Sequence, residues 1–273
     1  MVPLSVPVSH ANAIRLLLPA VATPLLMFAG GVQGQFAELG WRNFLALGAS
    51  VVTGLGGGDF LLFRTMRIVG MVRAYTIAGT FPLFGLVFAA SILGERPSSL
   101  AIVGTILVVL GATFVTARSG LEQSLTTGSK WVYRRGIMLA WVVAIMWGID
   151  LVLLRIGLGD FHPFVANSVR MPLAALVMTA FAWRIGGQFP LVRASRRVAL
   201  SLLSSGILGM IAGSSLYAFA IQEIGAARTG ALSAAAPVFA MVLAVLIVRE
   251  RPTWKAIAGT LVASCGVAFI AIW

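Results

Sequence analysis

Nine stretches of about 20 residues, roughly 13–31, 43–62, 71–93, 98–117, 136–155, 163–184, 198–220, 227–248 and 255–273, consist mostly of apolar side chains, glycine and small hydroxyls. Wound as helix at about 1.5 Å per residue, each is long enough to cross a hydrocarbon core of about 30 Å. Apolar residues make up 59% of the 273-residue chain and charged ones 10%, with a mean hydropathy of +0.99; a soluble domain carries about 25% charge. The runs are continuously apolar rather than alternating, which excludes a transmembrane barrel, whereas a helix satisfies its own backbone in lipid. The expected fold class is an all-α polytopic membrane protein of nine transmembrane helices with no separate aqueous domain.

Shifted by 155 positions, the sequence overlays itself without a gap. Glu95-Arg96-Pro97 falls on Glu250-Arg251-Pro252, Pro82 on Pro237, Arg73 on Arg228, and Asn12 and Arg15 on Asn167 and Arg170. Gly54, Gly58, Gly70, Gly104-Thr105 and Gly111 fall on Gly209, Gly213, Gly225, Gly259-Thr260 and Gly266, and about 30 of roughly 118 overlaid positions are identical. The expected organisation is a first copy over 1–118 with four helices, a connecting loop over 119–133, and a second copy over 134–273 with five. The counterpart of 136–155 would precede Met1, so the chain is expected to begin where the first helix of the unit has just ended. Segment 13–31 lacks a basic flank and overlays 168–186, and is therefore expected to be a retained helix rather than a signal peptide. An odd number of crossings per unit turns the second copy upside down, the inverted-repeat plan of secondary transporters.

The net charge of +12 does not point to nucleic acid, because the basic residues lie between apolar runs instead of forming a patch with interleaved aromatics. About three quarters of the 20 basic residues fall on one side of the expected helices, and the positive-inside rule makes that side cytoplasmic. Residue 273 is then expected to be periplasmic and the connection 185–197 cytoplasmic, in a multi-pass protein of the cytoplasmic membrane. Trp41, Trp131 and Trp183 lie near run ends, where indole rings anchor at the interface. The single Cys265 gives no disulfide framework. His10 and His162 lack metal-ligand spacing, and no nucleotide-binding motif exists, so no metal or cofactor is expected.

The repeat, the helix count and the motif Arg73…Pro82-x-Phe84…Glu95-Arg96-Pro97…Gly104…Gly111, with its second copy Arg228…Pro237-x-Phe239…Glu250-Arg251-Pro252…Gly259…Gly266, resemble the drug/metabolite transporter superfamily, EamA type. Trp147-Gly148 and the paired Arg15 and Arg170 share the likeness, which covers essentially the whole chain. The resemblance implies a ten-helix plan around a central substrate cavity, here without the first helix, and export of a small metabolite such as an amino acid.

Asp150 lies about five residues inside a helix end beside Trp147-Gly148, where an ionisable group is costly unless it faces protein or water. It is expected to carry a proton or balance a substrate amine, the alternative being a structural pair with Arg155 or Arg170. Asp59 follows Gly56-Gly57-Gly58 and reads as a substrate contact or as a partner of Arg64 or Arg67. Ser214, Ser215 and Tyr217 occupy the matching helix of the second copy, and hydroxyls there could hold a zwitterion or bond their own backbone. Trp147, Asp150, Ser214 and Tyr217 are expected to face a polar pocket between the copies near the midplane. Pro82 and Pro237 fall mid-segment and read as hinges or fixed kinks. Gly54-x-x-x-Gly58 and Gly209-x-x-x-Gly213 read as faces for close helix approach, and both Glu-Arg-Pro motifs as tight turns with proline opening the next helix.

Partners are the lipid bilayer and a small-molecule substrate, with a homo-oligomer compatible. Two other classes share features with this sequence. One is a non-transporting membrane sensor or scaffold. The other is an intramembrane aspartyl protease, for which Gly56-Gly57-Gly58-Asp59 and Gly157-Leu158-Gly159-Asp160 supply a Gly-x-Gly-Asp pattern. That mechanism needs two facing carboxylates, and Asp160 is expected in a connection.

Overall fold

The structure is a computed structural model that describes residues 7–116, 130–186, 195–243, 246 and 254–272. Among these the elements are helical and no strand occurs. In chain order they are α1 Val8–Ala29, α2 Gly34–Ala37, α3 Trp41–Val51, α4 Gly57–Val69, α5 Met71–Ala78, α6 Phe81–Phe88, α7 Ser99–Thr116, α8 Lys130–Leu158, α9 Pro163–Gly186, α10 Arg196–Gly206, α11 Ser214–Ile224, α12 Ala226–Ser233, α13 Ala236–Leu243 and α14 Trp254–Ile272. Six helical spans are long and apolar enough to cross a membrane, and the shorter apolar helices Ser99–Phe114 and Ile257–Ile272 fall on two more expected segments. The remaining one, 227–248, is covered by α12 and α13 as far as Leu243. The second Glu-Arg-Pro, residues 117–129 and 187–194, and Trp273 lie outside the described residues, and α8 begins at Lys130, inside the connection expected over 119–133.

The sequence repeat is also a repeat of local structure. The spans Trp41–Val69 and Arg196–Ile224 have 29 residues each and start and stop 155 positions apart. Each contains a π-helical segment beginning at matching positions, Val52–Gly56 in the first and Ile207–Gly213 in the second. Each ends on a glycine with positive φ, Gly70 at 86° and Gly225 at 83°, a conformation that any side chain would strain. α5 matches α12 and α6 matches α13, residue for residue.

Two details differ from the sequence reading. Gly54 and Gly209 lie inside the π-helical segments, and the second copy's pair makes no close helix contact, since a Cβ at Gly209 would meet nothing within 4 Å and one at Gly213 only Leu208 O at 3.4 Å, whereas Gly54 and Gly58 are buried. The close approach occurs between α7 and α14, the most extensively packed pair. A Cβ on Gly111 would lie 2.5 Å from Ala263 N and Gly259 O, and one on Gly266 would lie 2.6 Å from Gly104 O. In lipid, where hydrophobic burial gives helices no reason to associate, such backbone contact and its dispersion attraction hold a pair together. Secondly, Pro97 does not open α7. It lies in the connection 94–98, and Ser98 caps the helix through its hydroxyl, which accepts from Ala101 N–H at 3.2 Å.

The chain divides into two compact units, each holding matching pieces of both sequence copies: Met1–Phe60 with Leu153–Glu223, and Leu61–Val152 with Ile224–Trp273. In the first unit α1 lies along α9, with Ala13 and Leu16 packed among Met171, Ala174, Ala175 and Met178. Hydroxyls bridge this seam: Thr23 donates to Asn167 O at 3.1 Å and Ser168 to Thr23 O at 3.1 Å. At the α8–α9 turn, Arg155 donates to Gly159 O at 2.7 Å, and His162 Nδ1 accepts from Phe164 N–H at 3.2 Å. The His162 ring sits against Phe164 and Phe219, and burial there pushes its pKa below the usual 6.5, as suits a neutral ring whose Nδ1 is an acceptor. Large apolar side chains such as Leu25, Leu208 and Leu261 are more than 60% exposed, as a lipid-facing surface requires. Trp41, Trp131 and Trp183 are likewise exposed near helix ends, where interfacial anchors belong.

Candidate functional site

In the second unit, two broken helices set up the site. Both the 71–88 and the 226–243 spans stop at a two-residue turn, 79–80 in one and 234–235 in the other. The turns carry the same bonds: Thr80 N–H to Ile77 O at 3.1 Å and Ala235 N–H to Leu232 O at 3.0 Å, then Leu83 N–H to Thr80 O at 3.0 Å and Val238 N–H to Ala235 O at 2.9 Å. Pro82 and Pro237 therefore stand in the first turn of α6 and of α13, not within a continuous helix. Having no N–H, each leaves the carbonyl four residues earlier, Ala78 or Ser233, without its helical donor. The side-chain surroundings of Pro237 lie outside the described residues.

A cavity of about 320 Å³ opens at these two breaks. Its walls are Thr76, Gly79 and Phe81 from the first broken helix, Ser233, Ala234 and Ala236 from the second, with Trp147 and Tyr75 among the aromatic walls. No carboxylate, Lys, Arg or His lines it among the described residues. Ser233 and Thr113, also in the wall, donate their hydroxyl hydrogens to Gly230 O at 2.7 Å and Leu110 O at 2.6 Å. The wall is thus mostly apolar and aromatic, with Tyr75, Thr76, Thr113 and Ser233 as its hydroxyl-bearing residues.

Trp147 is placed by its neighbour. A Cβ on Gly148 would lie 2.7 Å from Phe84 Cβ and 2.9 Å from Gly85 N, so only glycine lets α8 come this close to α6. The Trp147 ring then meets Phe81 edge to face, centroids 5.7 Å apart. One turn further, the fully buried Leu151 wedges between the broken helices, its Cδ1 2.7 Å from where a Gly85 Cβ would stand and 2.6 Å from that of Gly230. Asp150, three residues from Trp147 and half-buried, shares this side of α8 without being part of the cavity wall.

Asp59, Ser214, Ser215 and Tyr217 belong to the first unit, where Asp59 is ion-paired and the two serines are hydrogen-bonded to Asn167. Asp59 pairs with Arg15 at 2.8 Å, both groups under 20% exposed. Arg64 and Arg67 were the nearer candidates in sequence; Arg64, at five residues, lies well around the helix from Asp59 instead of beside it. The same Arg15 Nη2 approaches Met210 Sδ of the matching π-helical segment at 3.7 Å. Asn167, fully buried, accepts from Ser214 Oγ at 3.2 Å and donates to Ser215 Oγ at 3.3 Å. Its counterpart Asn12 donates to Leu55 O at 3.0 Å and keeps Oδ1 buried without a hydrogen-bond partner. Arg170 donates to Ser50 Oγ at 2.8 Å. Asp160 lies in the α8–α9 turn, outside the spans.

The sequence profile of the EamA-like transporter family matches residues 1–117 and 134–272. The chain belongs to the EamA-like transporter family. It is therefore a multi-pass membrane protein of a transporter family, as its sequence motifs imply. Among its relatives it is 30% identical over 131 residues to a probable terminal-alkyne amino-acid exporter of Streptantibioticus cattleyicolor, a match over 48% of this chain that spans less than half, 43%, of the exporter. The uncharacterized transporter YoaV of Bacillus subtilis is 21% identical over 94% of this chain and 84% of its own. A solved crystal structure, 20% identical, shares the fold with a TM-score of 0.79 over 98% of this chain and 88% of that one.

Proposed function

We propose that the chain is a secondary carrier of the cytoplasmic membrane that exports a small amphipathic metabolite of the amino-acid type. The observation that carries this reading is the cavity at the two helix breaks, with a volume of about 320 Å³ and no ionised side chain in its wall among the described residues. That is the share of roughly ten water molecules, enough for a small amino acid. Its aromatic and apolar walls suit an aliphatic side chain, and the hydroxyl-bearing Tyr75 and Thr76 in the wall suit a polar end. Asp150, one turn along α8 from Trp147, balances the ammonium or carries a coupled proton. Ser214, Ser215, Tyr217 and Asp59 of the first unit are further substrate contacts, and Pro82 and Pro237 are the hinges of the broken helices. The copies are inverted, with residue 273 periplasmic and the connection 185–197 cytoplasmic. The residue-by-residue agreement of the broken helices at an offset of 155 supports the repeat, and the relative named as an amino-acid exporter supports the substrate class.

The test is flux in proteoliposomes with three matched probes: L-propargylglycine, which bears a terminal alkyne, its decarboxylated analogue but-3-yn-1-amine, and its deaminated analogue pent-4-ynoate. The amino acid is expected to move, with the acid at least tenfold slower. Asp150→Asn, close in shape to the carboxylic acid, is expected to abolish flux or its pH dependence while the protein stays in the membrane. Normal flux by Asp150→Asn at every pH removes its role, and equal flux of acid and amino acid removes the substrate class.

A further inference from the structure

Glu95, the first residue of the repeated Glu-Arg-Pro, makes contacts that no turn requires. Its carboxylate spans two successive amides at the start of α12: Ala226 N–H donates to Oε1 at 2.9 Å and Ala227 N–H to Oε2 at 3.0 Å. The preceding Gly225 has φ 83°, and a Cβ there would lie 3.2 Å from Glu95 Oε1. A residue 131 and 132 positions away thus satisfies amides that a helix end leaves without partners.

The eight-residue α12 is a short rod of about 12 Å. It is separated from α11 by the positive-φ glycine and from α13 by the turn at 234–235. Its far end carries Ser233 and Ala234, which are walls of the cavity. Midway, Gly230 bears on Leu151, the side chain that also touches Gly85 of the other broken helix. The rod has a pivot at each end, a bearing in the middle and one fixed point.

We propose that Glu95 is that fixed point, a positioning residue whose carboxylate holds the N-terminus of α12 and thereby sets where the cavity wall stands. Both oxygens are needed. Glutamine keeps one acceptor and turns an NH2 donor toward an amide donor, and aspartate falls one methylene short of bridging the pair. The inference rests on the reading of the cavity as the substrate site, and its test is built to fail separately.

In a Cys265→Ser background, Ser233→Cys is reacted with a charged methanethiosulfonate reagent in proteoliposomes, and Gln33→Cys, in the exposed connection after α1, serves as control. Adding Glu95→Gln is expected to change the Ser233→Cys reaction rate at least threefold and leave the control unchanged. Maximal flux of L-propargylglycine is expected to fall at least fivefold, with a smaller change in the half-saturating concentration. Glu95→Asp is expected to lie between the two. An unchanged Ser233→Cys rate in a folded Glu95→Gln or Glu95→Asp protein overturns the anchor whatever the flux. An altered rate without any flux of the three probes in the parent protein supports the anchor and counts against the cavity's role in transport.

Discussion

Trp147→Ala is expected to lower flux by at least tenfold while leaving the protein folded. The indole forms one wall of the cavity and contacts Phe81, the first residue of α6, edge to face. It also packs against the cluster of Leu62, Ala74, Ala78 and Val143 that supports the broken helix. Losing the ring removes an aromatic contact of about 0.5–1.5 kcal/mol and widens the cavity where a substrate would need a surface. A tenfold effect corresponds to about 1.4 kcal/mol of lost transition-state stabilisation. Trp147→Phe keeps an aromatic face and is expected to retain most of the flux. Trp131→Ala removes a ring that is 67% exposed near the start of α8 and is expected to change flux less than twofold. Equal losses for the two alanine variants would separate Trp147 from the substrate path.

Gly111→Leu is expected to abolish the folded protein, read as loss of the monodisperse peak in fluorescence-detected size exclusion. The first added carbon would stand 2.5 Å from Ala263 N and from Gly259 O, and both obstacles are backbone. Side chains can turn aside, but a helix backbone moves only if the whole α7–α14 pair separates, and overpacking alone costs about 1–3 kcal/mol where neighbours can yield. The matched comparison is Gly209→Ala. Nothing lies within 4 Å of its added carbon, so replacing glycine within a helix should be neutral or stabilising by up to about 1 kcal/mol. A stable Gly111→Leu protein would contradict the close approach of α7 and α14.

These two glycines also mark the limit of what the sequence makes legible. Apolar run length and the shift of 155 lead directly to the helical spans, because length and hydropathy are what a bilayer selects. The shift fixes register as well, down to the paired starts at Trp41 and Arg196. It does not distinguish glycines that admit a second backbone, such as Gly111, from those inside a π-helical segment, such as Gly209, since both appear as small residues at helical spacing. Pro82 signals a disturbed helix, yet whether it bends a continuous helix or opens a new one depends on the turn at 79–80, whose residues carry no strong turn signature. The Arg15 partner of Asp59 and the Ala226 and Ala227 partners of Glu95 are 44 and 131–132 positions distant. Sequence proximity offered Arg64 and Arg67 for the first and a local turn for the second. The paired Arg15 and Arg170 and the repeated Glu-Arg-Pro were the available signals, and both residues prove to act through tertiary contacts within a unit.

A carrier cycles a binding site across the membrane, which a sensor or scaffold does not, and counterflow reads that cycling. Proteoliposomes are loaded with unlabelled L-propargylglycine and diluted into a trace of the labelled compound. A carrier exchanges the two, so the label is expected to rise transiently above its equilibrium level and then decay, and Trp147→Ala is expected to flatten the overshoot. Label that stays at the level of protein-free liposomes, with this probe and its amine and acid analogues alike, would show that the chain is not a carrier for this class of compound.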